Sequence, residues 1–306
     1  MRIVLGIDHG GYWKTAGDLL TRLRFRDGVV DTVHVVEPPA CQFGEPIEAL
    51  VKLVAEQDEK ADFEGQRQAE EASAALRDRG HLTGACTVSS GHAAAELLQY
   101  ADKVTAGVIA VGSSGKGAVK SFLLGSVGRG ILIGSQLSVL IARGSGERRG
   151  PLRAVLATDH SVYANRCIDT LLHLAPQGIS NLTVLTTYPK DALEALRPFL
   201  PDFVLDPAAW IEEGLAKRNA EVMARLEPLG CRLDSRVRSE SVHDAIRQAM
   251  EETQADLLIL GAQGHGFIER LTLGSVSFQE GMTEPHSVLV LRAPDGTDLP
   301  QRKENP

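Results

Sequence analysis

Two glycine-rich stretches of this 306-residue chain share one spacing. The first is Gly112-Ser-Ser-Gly115-Lys-Gly117 with Gly125-Ser126 downstream, the second Gly261-Ala-Gln-Gly264-His-Gly266 with Gly274-Ser275 downstream. In both, nine residues separate the second glycine from the Gly-Ser pair. One such loop is a weak motif, because any turn can use glycine, but its repetition points to two copies of one module. The offset of 149 residues from Gly112 to Gly261 also carries Gly125 to Gly274 and Ser138-Val-Leu-Ile-Ala-Arg143 to Ser287-Val-Leu-Val-Leu-Arg292. Upstream, Ile3-Val-Leu-Gly-Ile-Asp8-His9 matches Ala154-Val-Leu-Ala-Thr-Asp159-His160 at an offset of 151, a drift that small loop changes produce. The period far exceeds the ~20–50 residues of a solenoid repeat. It therefore predicts two tandem domains, residues 1–146 and 150–293, with Gly144-Ser-Gly-Glu-Arg-Arg-Gly150 as the linker and a polar tail over 294–306.

Short apolar runs alternate with helical patterns in both copies. In the first, strands are expected at Ile3–Ile7, Asp31–Val36, Thr83–Val88, Gly107–Val111 and Leu137–Ala142. Helices are expected at Thr15–Phe25, at Glu45–Arg79 with a break near Asp58–Asp62, at Ala93–Lys103 and at Ser126–Ser135. The second copy repeats the order, with strands at Ala154–Thr158, Asn181–Thr187, Cys231–Val237, Leu257–Leu260 and Ser287–Leu291. Its helices are expected at Val162–Leu174, Pro207–Leu229, Val242–Thr253 and Ser275–Thr283. Strands without internal polar alternation, each followed by a helix, imply an α/β fold: an open parallel sheet per domain, covered on both faces.

A formal net charge of −8 argues against a broad nucleic-acid footprint, which needs clustered Lys and Arg, while leaving room for a local phosphate site. Cys41, Cys86, Cys167 and Cys231 form no C-x-x-C pair, so buried free thiols are the simpler reading than a zinc or redox site. The N-terminus reaches Asp8 too early for a signal-peptide core, and no apolar run is long enough to span a bilayer. A cytoplasmic protein without membrane segments is expected.

Each glycine loop leaves the end of the fourth strand and opens a helix, where open α/β sheets bind ligands. Glycines let backbone N–H groups approach an anion, the helix start adds unpaired donors and positive dipole, and Ser126 or Ser275 supplies a hydroxyl. Lys116 and His265, after the second glycine, are placed either to touch phosphate or to face solvent. Across the crevice, Asp8 and Asp159 end the first strands, where a carboxylate accepts from a ribose hydroxyl or an adenine amine, or caps the following helix. Phosphate donors facing an acidic group describe a nucleotide site. A Walker loop is not supplied by Gly112-Ser-Ser-Gly115-Lys116, and Gly128-Arg-Gly130-Ile-Leu-Ile-Gly134 is too long for the dinucleotide fingerprint.

The spacing G-x2-G-x9-G-[ST], with an aspartate after the first strand, resembles the ATP-binding branch of the universal stress protein family over both halves. Val33-His34-Val35-Val36 and Gly91-His-Ala-Ala-Ala-Glu-Leu-Leu98 also match that family. The resemblance implies a five-stranded parallel sheet per domain and ATP, with ADP or AMP as variants. Adenine would lie near Asp8 and the backbone of Val35, and phosphates on Gly112, Gly115, Gly125 and Ser126, followed by the matching Val127. The second-copy counterparts would be Asp159, Thr186, Gly261, Gly264, Gly274, Ser275 and Val276. The chain departs from the family at His9 and His160, where a small residue is usual, and at Ser239-Glu240-Ser241, which replaces a helix-opening glycine.

These features favour a regulatory nucleotide-binding protein with up to two nucleotides per chain and little turnover, because no general base or in-line nucleophile accompanies the cradle. Two alternatives stand beside it. One is a slow ATPase or phosphotransferase, with Mg²⁺ supported by the aspartates or histidines; the other is an interaction scaffold with a structural nucleotide. The fifth strands should be sheet edges that pair with each other as an internal pseudo-dimer, with homodimerisation also open.

Overall fold

The computed structural model describes residues 1–37, 48–113, 124–144, 150–188, 194, 197–199, 205–263, 274–283 and 285–293, with backbone alone over 48–60 and 282–283. The expected linker core and C-terminal tail lie outside these residues. The first half runs β1 (Arg2–Ile7), α1 (Trp13–Arg22), β2 (Arg24–Phe25), β3 (Val29–Val36), α2 (Glu48–Asp78), β4 (Leu82–Ser90), α3 (Ala93–Lys103), β5 (Ala106–Gly112), α4 (Ser126–Gly134) and β6 (Ser138–Ala142). The second runs β7 (Leu152–Ala157), α5 (Val162–Leu174), β8 (Pro176–Gln177), β9 (Ile179–Thr187), α6 (Pro207–Leu226), β10 (Arg232–Arg238), α7 (Val242–Thr253), β11 (Leu257–Gly261), α8 (Ser275–Thr283) and β12 (Ser287–Leu291).

Each half contributes five strands to one ten-stranded sheet, in the order β10-β9-β7-β11-β12-β6-β5-β1-β3-β4. Pairing is parallel within each half and antiparallel only where β12 meets β6, with Leu289 opposite Leu140. The two apolar edges therefore satisfy each other inside one chain, as expected. Two apolar layers flank the sheet, and each runs through both halves. One gathers Trp13, Leu20, Leu76, Ile168, Leu171 and Leu226 from α1, α2, α5 and α6. The other gathers Leu97, Ile131, Leu132, Ile246 and Met250 from α3, α4 and α7.

The repeated Ser-to-Arg motif builds the central seam. Ser287 accepts a hydrogen bond from the Arg143 backbone N–H at 3.0 Å, and Ser138 accepts from that of Arg292 at 3.2 Å. Each arginine side chain then crosses to the other half. Arg143 donates to the carbonyls of Glu280 and Gly281 at 3.2 and 2.6 Å, covering the C-terminal end of α8, and Arg292 donates to Leu132 of α4 at 3.1 Å. These bonds satisfy helix carbonyls that have no partner within the helix, and the cations complement its negative end.

Three expectations change. The helix expected over Thr15–Phe25 stops at Arg22, because Arg24–Phe25 pairs antiparallel with Pro176–Gln177 and ties the halves together a second time. The break expected near Asp58–Asp62 is absent: α2 is continuous over 31 residues. The thiols are not uniformly buried, since Cys86 and Cys231 are half-buried and Cys167 alone of the described three is buried. Burial pushes Cys167 up to about 12, which leaves it an unreactive thiol. No helix among the described residues is long and apolar enough to cross a membrane.

Burial also sets a pH response. His34, His81 and His160 are all held below the ordinary imidazole value of 6.5, with desolvation the leading cause in each. The unfolded chain therefore takes up protons as pH drops through about 6.5, while the folded chain does so only lower down. This contribution to stability is fully present above the unfolded value and is lost as pH falls toward the folded ones. The urea midpoint is expected to be lower at about pH 5.5 than at about pH 7.5. An unchanged midpoint would contradict the burial of these rings.

Candidate functional site

The crevice at the carboxyl ends of β1, β3 and β5 holds a cavity of about 370 Å³. Apolar side chains form most of its wall, among them Ile7, Val35, Leu97, Val111 and Val127, with Asp8, His9, His34 and Glu37 as the polar members. Gly112 and Gly128 close it on the side of the glycine loop. Strand alternation and the start of α4 thus bring together Asp8, Val35, Gly112 and Val127. Gly125 and Ser126 stand at the helix start beside them; Gly115 and Lys116 fall outside the described residues.

Asp8 is fixed by the start of α1. Its carboxylate accepts from the Tyr12 N–H at 3.1 Å and the Trp13 N–H at 2.7 Å, doing the work of a cap that Tyr12 itself does not provide. The turn that allows this needs Gly11, whose φ of +73° suits glycine. Gly112 has a different reason to be glycine, since a Cβ there would overlap the Tyr12 carbonyl. On the facing wall α4 follows Gly125, which has no side chain to cap it, so among the described residues the first N–H groups of this helix have no side-chain acceptor. A Cβ at Gly125 would meet none of the described residues within 4 Å.

His34 is the feature that spacing alone did not single out. It is 1% exposed, and its Nδ1 lies 3.0 Å from the carbonyl of Ile7. A carbonyl only accepts, so Nδ1 carries the proton and Nε2 presents a lone pair; that atom is buried without a partner among the described residues. Burial, then the neighbouring His9, lower its proton affinity, and the two rings meet edge to face at 4.4 Å. The ring needs space that Gly65 of α2 leaves, because a Cβ at that position would come 2.5 Å from His34 Cδ2. A histidine between Val33 and Val35 and a glycine inside a long helix were the available signals.

Glu37 ends the same strand and accepts from the Ala93 N–H at 2.9 Å, capping α3 from across the crevice. The second half does without this link. There Ser241 accepts from the Asp244 N–H at 3.2 Å and donates to its carboxylate, so the serine that departs from the family pattern is a self-contained cap.

In the second half Asp159 accepts from the Ser161 N–H at 2.9 Å, and Ser161 caps α5 by accepting from Ala164 at 3.0 Å. Gly261 ends β11, and Gly274, Ser275 and Val276 form the start of α8. Gly264 and His265 lie outside the described residues. The counterpart of Val35 needs correction. Gly6 pairs with Val33, and Ala157, the equivalent of Gly6, pairs with Leu185. Thr186 therefore matches His34, and Thr187 matches Val35. A shift of one residue moves a side chain to the other face of the sheet, and Thr186 is buried beneath α6.

Among the described residues no three His, Cys, Asp or Glu side chains converge as metal ligands. The model of the universal stress protein family matches residues 1–143 and again 152–292. A universal stress protein from Archaeoglobus fulgidus DSM 4304 superimposes with a TM-score of 0.61 at 20% identity, covering 95% of this chain and 98% of its own. A functionally unknown protein from Pseudomonas aeruginosa PAO1 and a putative universal stress protein from Pseudomonas aeruginosa UCBPP-PA14 each give a TM-score of 0.55 at 13% identity, over 95% of this chain and 92% of theirs. No curated protein matches the chain by sequence. With the family matched twice over nearly its whole length, the chain belongs to the universal stress protein family as a tandem, two-copy member.

Proposed function

We propose that the first-half crevice binds an adenine nucleotide, ATP or its products ADP and AMP, and that the protein acts through this binding with little or no turnover. The carrying observation is the pairing of a 370 Å³ apolar cavity with an anchored carboxylate on one side and an uncapped helix start on the other. Pockets for small ligands typically run from about 300 to 1,000 Å³, and an apolar slot suits a base. The His34 ring lines the cavity, with its Nε2 buried against Gly65 of α2. Phosphates would then meet the N–H groups of Ser126, Val127 and Gly128 at the positive end of α4. Mg²⁺ would arrive on the phosphates rather than on protein ligands. His9 packs against His34 rather than standing free as a general base, which favours binding over hydrolysis.

Nucleotide released by denaturing the purified protein, identified by chromatography, should be an adenine nucleotide, and the emptied protein should bind ATP with micromolar or tighter affinity. Neither bound nucleotide nor measurable ATP affinity would remove this reading.

A further inference from the structure

The two copies carry the same motif, yet their crevices are built differently. In the first, His9 is exposed and meets His34 only through ring edges. In the second, His160 adopts a left-handed backbone with φ of +55°, unusual for any residue but glycine. Its Nε2 lies 3.0 Å from Thr186 Oγ1, which donates in turn to Asn219 Oδ1 at 2.7 Å. Asn219 is fully buried, and its amide nitrogen donates to Ser235 Oγ and the Arg236 carbonyl. That last bond fixes the amide orientation, because a carbonyl only accepts. Thr186 has one hydrogen and gives it to Asn219, so His160 Nε2 must be the donor to Thr186. The chain His160-Thr186-Asn219 is thus satisfied link by link inside the protein. Its first-half counterpart ends at the unpartnered Nε2 of His34, with Gly65 standing where Asn219 stands over Thr186.

The walls differ in the same sense. At equivalent positions Gly128 becomes Ser277, a buried residue whose hydroxyl donates to the Gly261 carbonyl at 2.6 Å and straps the start of α8 onto the end of β11. Gly6 becomes Ala157, and Val36 becomes Tyr188, a buried ring whose hydroxyl donates to Glu212 of α6 at 2.8 Å. A ligand seated as in the first half would have to displace the His160 ring from Thr186 and move Tyr188 from Glu212.

We infer that this chain binds one nucleotide, in its first half, and that the second-half crevice is closed by its own side chains. The inference rests on the nucleotide reading above and narrows it from two sites to one. The second half then serves as the fixed partner of the pseudo-dimer, giving the first half a paired sheet edge and, through Arg292, a cover for the end of α4. Two hydrogen bonds of ordinary strength make the closed site roughly thirtyfold weaker than the open one.

Calorimetric titration of the nucleotide-free full chain with ATP, with and without Mg²⁺, should give one equivalent per chain. Hydrogen exchange with ATP present should slow in β1, β3 and α4 and stay unchanged in β7, β9 and α8. Ala93→Trp, which fills the first cavity from its α3 wall, should abolish all binding. Two equivalents, or half the capacity surviving in Ala93→Trp, would overturn the single-site inference while leaving the nucleotide reading intact, whereas protection centred on α8 would overturn both. No binding at all would overturn both. Should Ala93→Trp fail to fold, the stoichiometry and the exchange pattern of the unaltered chain decide the matter without it.

Discussion

Gly112→Ala is expected to lower the unfolding free energy by about 3 kcal/mol and to weaken ATP binding with it. The added methyl would overlap the carbonyl of Tyr12, which is backbone and cannot rotate aside. Relief requires the end of β5 to part from the start of α1, and that start carries the Tyr12 and Trp13 N–H groups that hold Asp8 in place. One methyl group therefore disturbs packing, the cap and the wall of the cavity together. Two other glycines of the repeated motif provide the contrast. Gly125→Ala should cost less than about 1 kcal/mol, since none of the described residues lies within 4 Å of its Cβ position. Gly261→Ala should fall between them, because its nearest neighbour is the Cys167 sulfur at 3.2 Å. Urea unfolding of the three variants gives the ranking directly. Equal midpoints for Gly112→Ala and Gly125→Ala would show that β5 does not approach α1 as described.

Arg143→Met is expected to destabilise the chain by about 3 kcal/mol or more, whereas Arg292→Met should change stability by less than about 1 kcal/mol. The two arginines come from the same repeated motif and lie at equivalent places in the seam, yet they do different amounts of bonding. Arg143 reaches the carbonyls of Glu280 and Gly281, and removing it strands buried acceptors at the end of α8. Among the described residues the Arg292 side chain donates to the Leu132 carbonyl alone. Desolvation is the leading influence on its guanidinium and lowers its proton affinity, so an apolar side chain of similar length recovers much of what is lost. Chemical denaturation followed by circular dichroism measures both. Equal losses for the two variants would contradict the unequal bonding of the two arginines across the seam.

The seam also shows how far the sequence could be read. The repeat of Ser138 to Arg143 in Ser287 to Arg292 marks a duplicated strand, and unalternated apolar residues mark it as buried. That the two serines bond to each other's strands, and that the arginines cover each other's helices, follows only once β6 and β12 lie antiparallel. Helices α3, α5, α7, α8 and strand β12 begin and end where their patterns do, and in α5 and α7 the serine just before the helix, Ser161 or Ser241, supplies the cap. Strand β2 was illegible for the opposite reason, as its partner β8 lies about 150 residues away and neither carries a strand pattern of its own.

At the site, the spacing identified Asp8, Gly112 and Val127 as neighbours because strand-loop-helix order fixes where strand ends and helix starts go. It misjudged the counterpart of Val35, since an offset counted at β1 does not register the extra residue before β9. It also gave both copies equal standing. What separates them is carried by residues that no glycine spacing reports: His34 with an unpartnered nitrogen, and Ser277, Asn219 and Tyr188 with their partners inside the protein.

The central claim is that the first-half crevice is a nucleotide site, and a crystal structure of the protein soaked with ATP tests it most directly. Density for the base is expected in the slot between Asp8, Val35 and Val127, with phosphates at the start of α4. An unfilled cavity at saturating ATP, or nucleotide bound elsewhere on the chain, would contradict it.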